Sequence, residues 1–127
     1  MNINEVTYKI RGAIFKVYNE LGPGLLESVY EEALCYQMIE EGLKVERQKE
    51  VDILYKDKVL STKLRLDVLV EDMVIVELKA VESLSNIHFV QIDTYLRLAN
   101  KSIGFLVNFN TDDIVNDIHR RYNPLAK

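Results

Sequence analysis
Apolar residues in the first part of the chain recur at three- and four-residue steps. Ile3, Val6, Ile10, Ile14, Val17 and Leu21 form one stripe. Asn2 and Asn4 both suit an N-cap, so the spacing predicts a helix over about 4–21. The run GPG at 22–24 ends it. A second helical pattern begins near Leu25, carries Leu26, Val29, Tyr30, Ala33, Leu34, Met38 and Ile39, and closes at Gly42, a natural residue just past a helix end. From 43 to 80 the period falls to two: Val45, Val51, Ile53 and Tyr55 share one parity, and after the polar turn KDK so do Leu64, Leu66, Val68 and Val70. The pattern predicts an antiparallel meander. ESLSN breaks it, with Ser85 or Asn86 capping a helix through Ile87, Val90, Tyr95 and Leu98 to about Asn100. SIGFLVNF is almost continuously apolar and predicts a central strand, and TDDIVNDIHRRY reads as a last short helix capped by Thr111. The predicted order, α-α-β-β-β-α-β-α, is that of an α/β domain with a central mixed sheet flanked by helices.

Charged residues interrupt the two strands over 63–80. With Leu64, Leu66, Val68 and Val70 on one face, Asp67 projects from the other together with Lys63 and Arg65. Val74, Val76, Leu78 and Ala80 likewise leave Glu77 and Lys79 opposite. A loop of Glu71, Asp72 and Met73 sets Asp67 directly across from Glu77. Two carboxylates at facing strand positions repel each other, and a divalent cation between them reverses the sign. Oxygen-only ligands suit Mg²⁺ or Mn²⁺, and Lys79 on the same face can handle an attacking water or the charge growing on a phosphate. The same spacing also fits an ordinary solvated cross-strand ion cluster, and spacing alone does not choose between them.

Composition narrows the partners. The chain has 127 residues, 48% of them hydrophobic, a formal charge of −4 and an acidic pI of about 5.2. That length suits one domain, and the charge argues against a protein that coats nucleic acid by bulk electrostatics. A local basic segment remains, with Lys44, Arg47, Lys49, Lys56, Lys58, Lys63 and Arg65 close together. The sequence MNINEVTYKI lacks a signal-peptide pattern and no apolar run spans a bilayer, so a cytoplasmic protein with no membrane partner is expected. Cys35, the single cysteine, reads as a small buried apolar residue, and with only two histidines a structural zinc site is not expected.

Asp67 followed by ELK at 77–79, inside an αβββαβ order, resembles the D…(D/E)xK signature of the PD-(D/E)xK nuclease superfamily. GLLESVYEEAL at 24–34 is similar to the opening motif of the GxxExxY proteins, small members of that group, with Gly24, Glu27 and Tyr30 at the named positions. HFVQIDTYLRL and GFLVNFN resemble the group's third helix and following strand. Leu66 stands where the superfamily name has proline. The resemblance implies a restriction-endonuclease-like αβββαβ core with an extra N-terminal helix, and a metal-dependent nuclease acting on DNA, less readily on RNA. It further implies that Glu27, Asp67 and Glu77 hold Mg²⁺ or Mn²⁺, that Lys79 is catalytic, and that Gln91 and Tyr95, joined by His88, contact the substrate. Lys63 and Arg65 beside them suit phosphate contacts. So small a core has no evident clamp for a duplex, so a second copy or a protein partner is expected to complete the groove. The alternative function is a catalytically silent module of this fold that binds nucleic acid or a protein.

Overall fold
The computed structural model describes all of residues 1–127. The first helix, α1, is Ile3–Leu21, and the Asn2 side chain caps it by accepting from the Glu5 N–H at 2.9 Å. The second, α2, is Glu27–Glu40 and begins two residues later than the apolar pattern suggests. Then come β1 (Val45–Val51), a two-strand hairpin of β2 (Leu54–Tyr55) and β3 (Lys58–Val59), β4 (Leu64–Val70) and β5 (Val74–Lys79). The helix α3 (Asn86–Leu98), the strand β6 (Ile103–Asn108), a single 3-10 turn at Ile114–Asp117 and the strand β7 (Ile118–Tyr122) complete the chain.

The main sheet has the order β1-β4-β5-β6-β7, with β5 and β6 parallel and the other pairs antiparallel. Its two faces bury separate cores. Val6, Ile10 and Ile14 of α1, with Tyr30, Leu34 and Met38 of α2, pack on Val68, Val76, Leu78, Phe105 and Val107. On the opposite face Ile92 and Leu96 of α3 pack on Leu64, Leu66, Leu69, Ile75 and Leu106. The result is a three-layer sandwich of helices, mixed sheet and helix, consistent with a restriction-endonuclease-like α/β fold.

Three expectations are corrected. The last short helix over 111–122 is one 3-10 turn followed by β7, which pairs antiparallel to β6. Buried Ile114 and Ile118 belong to the α1/α2 core, and the free edge of β6 supplies hydrogen-bond partners that a short isolated helix lacks. The single strand expected through Ile53 and Tyr55 ends at Val51, and β2–β3 forms a separate ribbon. Finally, Leu64 and Leu66 do not share a face with Val68 and Val70: the first two pack beneath α3, the latter two beneath α1 and α2. The strand switches face at Asp67. Gln48, its neighbour across β1, is the residue at which the β1–β4 pairing skips, and it adopts a left-handed backbone with φ 49°.

Candidate metal-binding active site
Asp67 and Glu77 face each other, as the registers Val68↔Val76 and Leu69↔Ile75 require. Their carboxylates are turned into the gap between the strands. Asp67 N–H donates to Glu77 Oε2 at 2.9 Å, and Leu78 N–H donates to Asp67 Oδ2 at 3.0 Å. Each acid thus takes the place of a main-chain carbonyl on the other strand. Glu77 is only 3% exposed, and burial, then the charge of Asp67, pushes its carboxyl up to about 8, with Lys79 pulling the other way. Asp67 is also raised, chiefly by burial, although the Leu78 N–H and Lys79 oppose the change.

The N-terminus of α2 brings in the third acid. Glu27 opens the helix, where the dipole favours a negative charge. Its outer side is exposed, yet the walls of the site desolvate it in part; that, followed by the charge of Asp67, raises its pKa against the pull of Lys79. The placement of this helix end rests on Tyr30. Its hydroxyl donates to the Gly22 carbonyl at 2.6 Å and accepts from the Leu25 N–H at 3.1 Å, while its ring stacks on Phe109 at 4.6 Å. Gly22 and Gly24 sit at φ 67° and 100°, which explains why this turn needs glycine. The spacing of Gly24, Glu27 and Tyr30 therefore has a mechanical meaning: the tyrosine pins the loop that aims the glutamate.

The helix α3 closes the other side. Gln91 Nε2 donates to the Tyr95 hydroxyl at 3.1 Å, which leaves the phenolic proton free to donate. The Tyr95 pKa is raised, first by burial and then by the charge of Glu77, so its hydroxyl is within the electrostatic reach of the acids. A bidentate pair between Arg121 of β7 and Asp93, at 2.9 and 2.6 Å, ties α3 to the sheet. His88 is drawn into the end of α3, where its Nδ1 accepts from the Ser85 N–H at 3.1 Å. Lys63 is paired with Asp52, and Arg65 lies 3.9 Å from Glu50.

Two contributors escaped the sequence reading. Glu31, one turn beyond Glu27, is buried and accepts from Arg47 Nη2 at 3.0 Å and from Gln48 Nε2 at 2.8 Å. Its charge adds to the rise of Asp67. The four-residue spacing from Glu27 was the available signal. Asn108, paired with Lys79 across β5 and β6, is 1% exposed. Its side chain accepts from the Val81 N–H at 3.0 Å and donates to the Val81 carbonyl at 2.9 Å, which fixes the chain just beyond Lys79.

The family model of the PD-(D/E)XK nuclease superfamily matches residues 4–121. The chain belongs to that superfamily. No curated protein and no solved structure matches it. PD-(D/E)XK nucleases are typically dependent on divalent metal, and the donor set suits such an ion: hard carboxylate oxygens on Asp67 and Glu77, with Glu27 at the mouth. Glu77 Oε2 takes the Asp67 N–H, while its Oε1 makes no protein hydrogen bond. No three acids, histidines or cysteines stand together as a ready-made ligand set.

Proposed function
We propose that this PD-(D/E)XK protein is a Mg²⁺- or Mn²⁺-dependent nuclease that hydrolyses phosphodiester bonds of DNA, and of RNA less readily. The observation that carries the reading is the buried pairing of Asp67 with Glu77 beside Lys79. Such an arrangement is costly in a sheet that serves only structure, and in a nuclease superfamily it has a use. Asp67, Glu77 and Glu27 would hold the ion, which when bound supplies Lewis-acid stabilisation of phosphate charge and a more acidic water. Lys79 orients the attacking water and offsets charge in the transition state. The Tyr95 hydroxyl, held by Gln91, donates to a phosphate oxygen. His88 lies one turn before Gln91 and suits a flanking contact, while Lys63 and Arg65 can exchange their carboxylate partners for phosphates.

The test is incubation of the pure protein with Mg²⁺ or Mn²⁺ and single- or double-stranded DNA and RNA, beside Lys79→Ala. Lys79→Ala is expected to lose at least about 100-fold in turnover while binding nucleic acid nearly as wild type does, because the contact matters mainly in the transition state. A protein that cuts nothing above the Lys79→Ala background would overturn the reading in favour of the silent binding module.

A further inference from the structure
The ribbon β2–β3 belongs to neither core. Leu54, Tyr55 and Val59 are 64%, 63% and 52% exposed, and the ribbon forms a sheet of its own, closed at its base by Leu60 N–H donating to the Ile53 carbonyl at 2.9 Å. Cross-strand pairing puts Leu54 beside Val59 on one face and Tyr55 beside Lys58 on the other. At the turn Lys56 has φ 58°, and its ammonium lies 5.6 Å from the Tyr55 ring centroid.

Its position in the chain sets its direction. The ribbon leaves the sheet after Val51 and returns at Leu64, which are paired. This is the end of the sheet toward which β5 runs to Lys79, since β5 is antiparallel to β4. The ribbon is therefore an arm at the active-site end. From Asp67 the base is three residues away and the turn five residues further, so at ~3.3 Å per residue the tip lies at most about 25 Å from the acids.

Charge identifies the occupant. Between 44 and 65 there are seven Lys or Arg against four Asp or Glu, whereas the rest of the chain has nine against sixteen. Lys49, Lys63 and Arg65 are matched with acids, while Lys56 and Lys58 at the tip are not. An aromatic ring with free lysines around it and aliphatics behind it suits a polyanion that also offers flat apolar surfaces. We infer that the β2–β3 arm binds a single-stranded flank of the nucleic-acid substrate, Tyr55 stacking on an unpaired base while Lys56 and Lys58 meet its phosphates. This rests on the nuclease reading and adds a length requirement: at ~3.4 Å per stacked nucleotide, the substrate reaches the arm no more than about eight nucleotides from the cut.

Fluorescence anisotropy with the full-length protein in metal-free buffer tests the arm, using labelled single strands of about five and about fifteen nucleotides. Tyr55→Ala is expected to weaken the longer strand about 5- to 100-fold and to leave the shorter unchanged. Lys56→Ala with Lys58→Ala should reduce the salt slope of the longer strand by about 1.4. Matching melting curves show that each variant folds. Wild-type affinity in both variants, equal weakening of short and long strands, or binding of duplex alone would overturn the arm. If wild type cuts nucleic acid while the arm variants bind as it does, only the arm inference falls. If wild type neither binds nor cuts any nucleic acid, the nuclease reading falls first.

Discussion
Glu77→Gln tests the energetics of the site directly. The carboxyl of Glu77 is held at about 8 in the folded protein, against an ordinary value of 4.5. The folded state therefore binds this proton more tightly than the unfolded chain, and the associated stability is full below about pH 4.5 and is lost as pH rises through about 8. At about 1.4 kcal/mol per pH unit the gap sets a ceiling near 5 kcal/mol. Asp67 shares the repulsion and the pair titrates together, so the part that Glu77 alone carries lies below that ceiling. Glutamine keeps an oxygen for the Asp67 N–H and stays neutral at every pH. Without divalent metal the variant should therefore match wild type near pH 4.5 and exceed it increasingly up to about pH 9. For a chain of this length the difference is roughly 10 °C in melting temperature. Thermal denaturation in chelator-containing buffers over that range gives the comparison, and parallel Tm–pH curves for the two proteins would refute the reasoning.

Metal should narrow or cancel that gap, because a cation binds only the deprotonated site: Mg²⁺ or Mn²⁺ at about a hundred times Kd is expected to stabilise wild type by ~2.7 kcal/mol, more at about pH 9 than at pH 6, as measured by differential scanning fluorimetry. Equal stabilisation of Glu77→Gln would place the ion elsewhere. Tyr30→Phe removes the hydroxyl between Gly22 and Leu25 but keeps the stack on Phe109, so urea denaturation should report a loss of about 1–2 kcal/mol. Gly104→Ala puts a methyl 3.0 Å from the Ile75 carbonyl and 3.2 Å from Ile92 and Leu96, which should cost about 1–3 kcal/mol in the same assay and push α3, with Gln91 and Tyr95, off the sheet.

Much of this was legible along the chain because the informative signals are local. The stripes that make α1, α2 and α3, the alternation in β5, and the three-residue loop that sets Asp67 against Glu77 all depend on near neighbours. What escaped depends on distant ones. β7 carries no alternation, since Ile118, Arg120 and Tyr122 share one parity yet run from buried to exposed, and only the edge of β6 turns it into a strand. Asn108 looks like the polar end of an apolar run until Val81 folds back onto it. Arg121 shows its role only once β7 lies beside α3 and its guanidinium reaches Asp93.

The face switch at Asp67 is the instructive failure, because it is also what makes the site. Strict alternation through LRLDVLV puts Leu66 and Val68 together, although the unbroken apolar run Val68, Leu69, Val70 already indicates that both faces of the strand are covered. Had alternation continued, Asp67 would be one more side chain standing on a sheet face, turned away from the seam between β4 and β5. The switch, with the left-handed Gln48 beside it, instead lets the two carboxylates enter the seam and take main-chain N–H groups from each other's strand. Those bonds fix the acids, while burial in the seam desolvates them, and it is burial with the charge of Asp67, against the pull of the Asp67 N–H, that makes Glu77 resist ionisation. A sheet with carbonyls in those positions would be more stable and would hold nothing. Stability given up at the seam is the counterpart of carboxylates positioned in advance, and a gain in melting temperature from Glu77→Gln measures the size of that exchange.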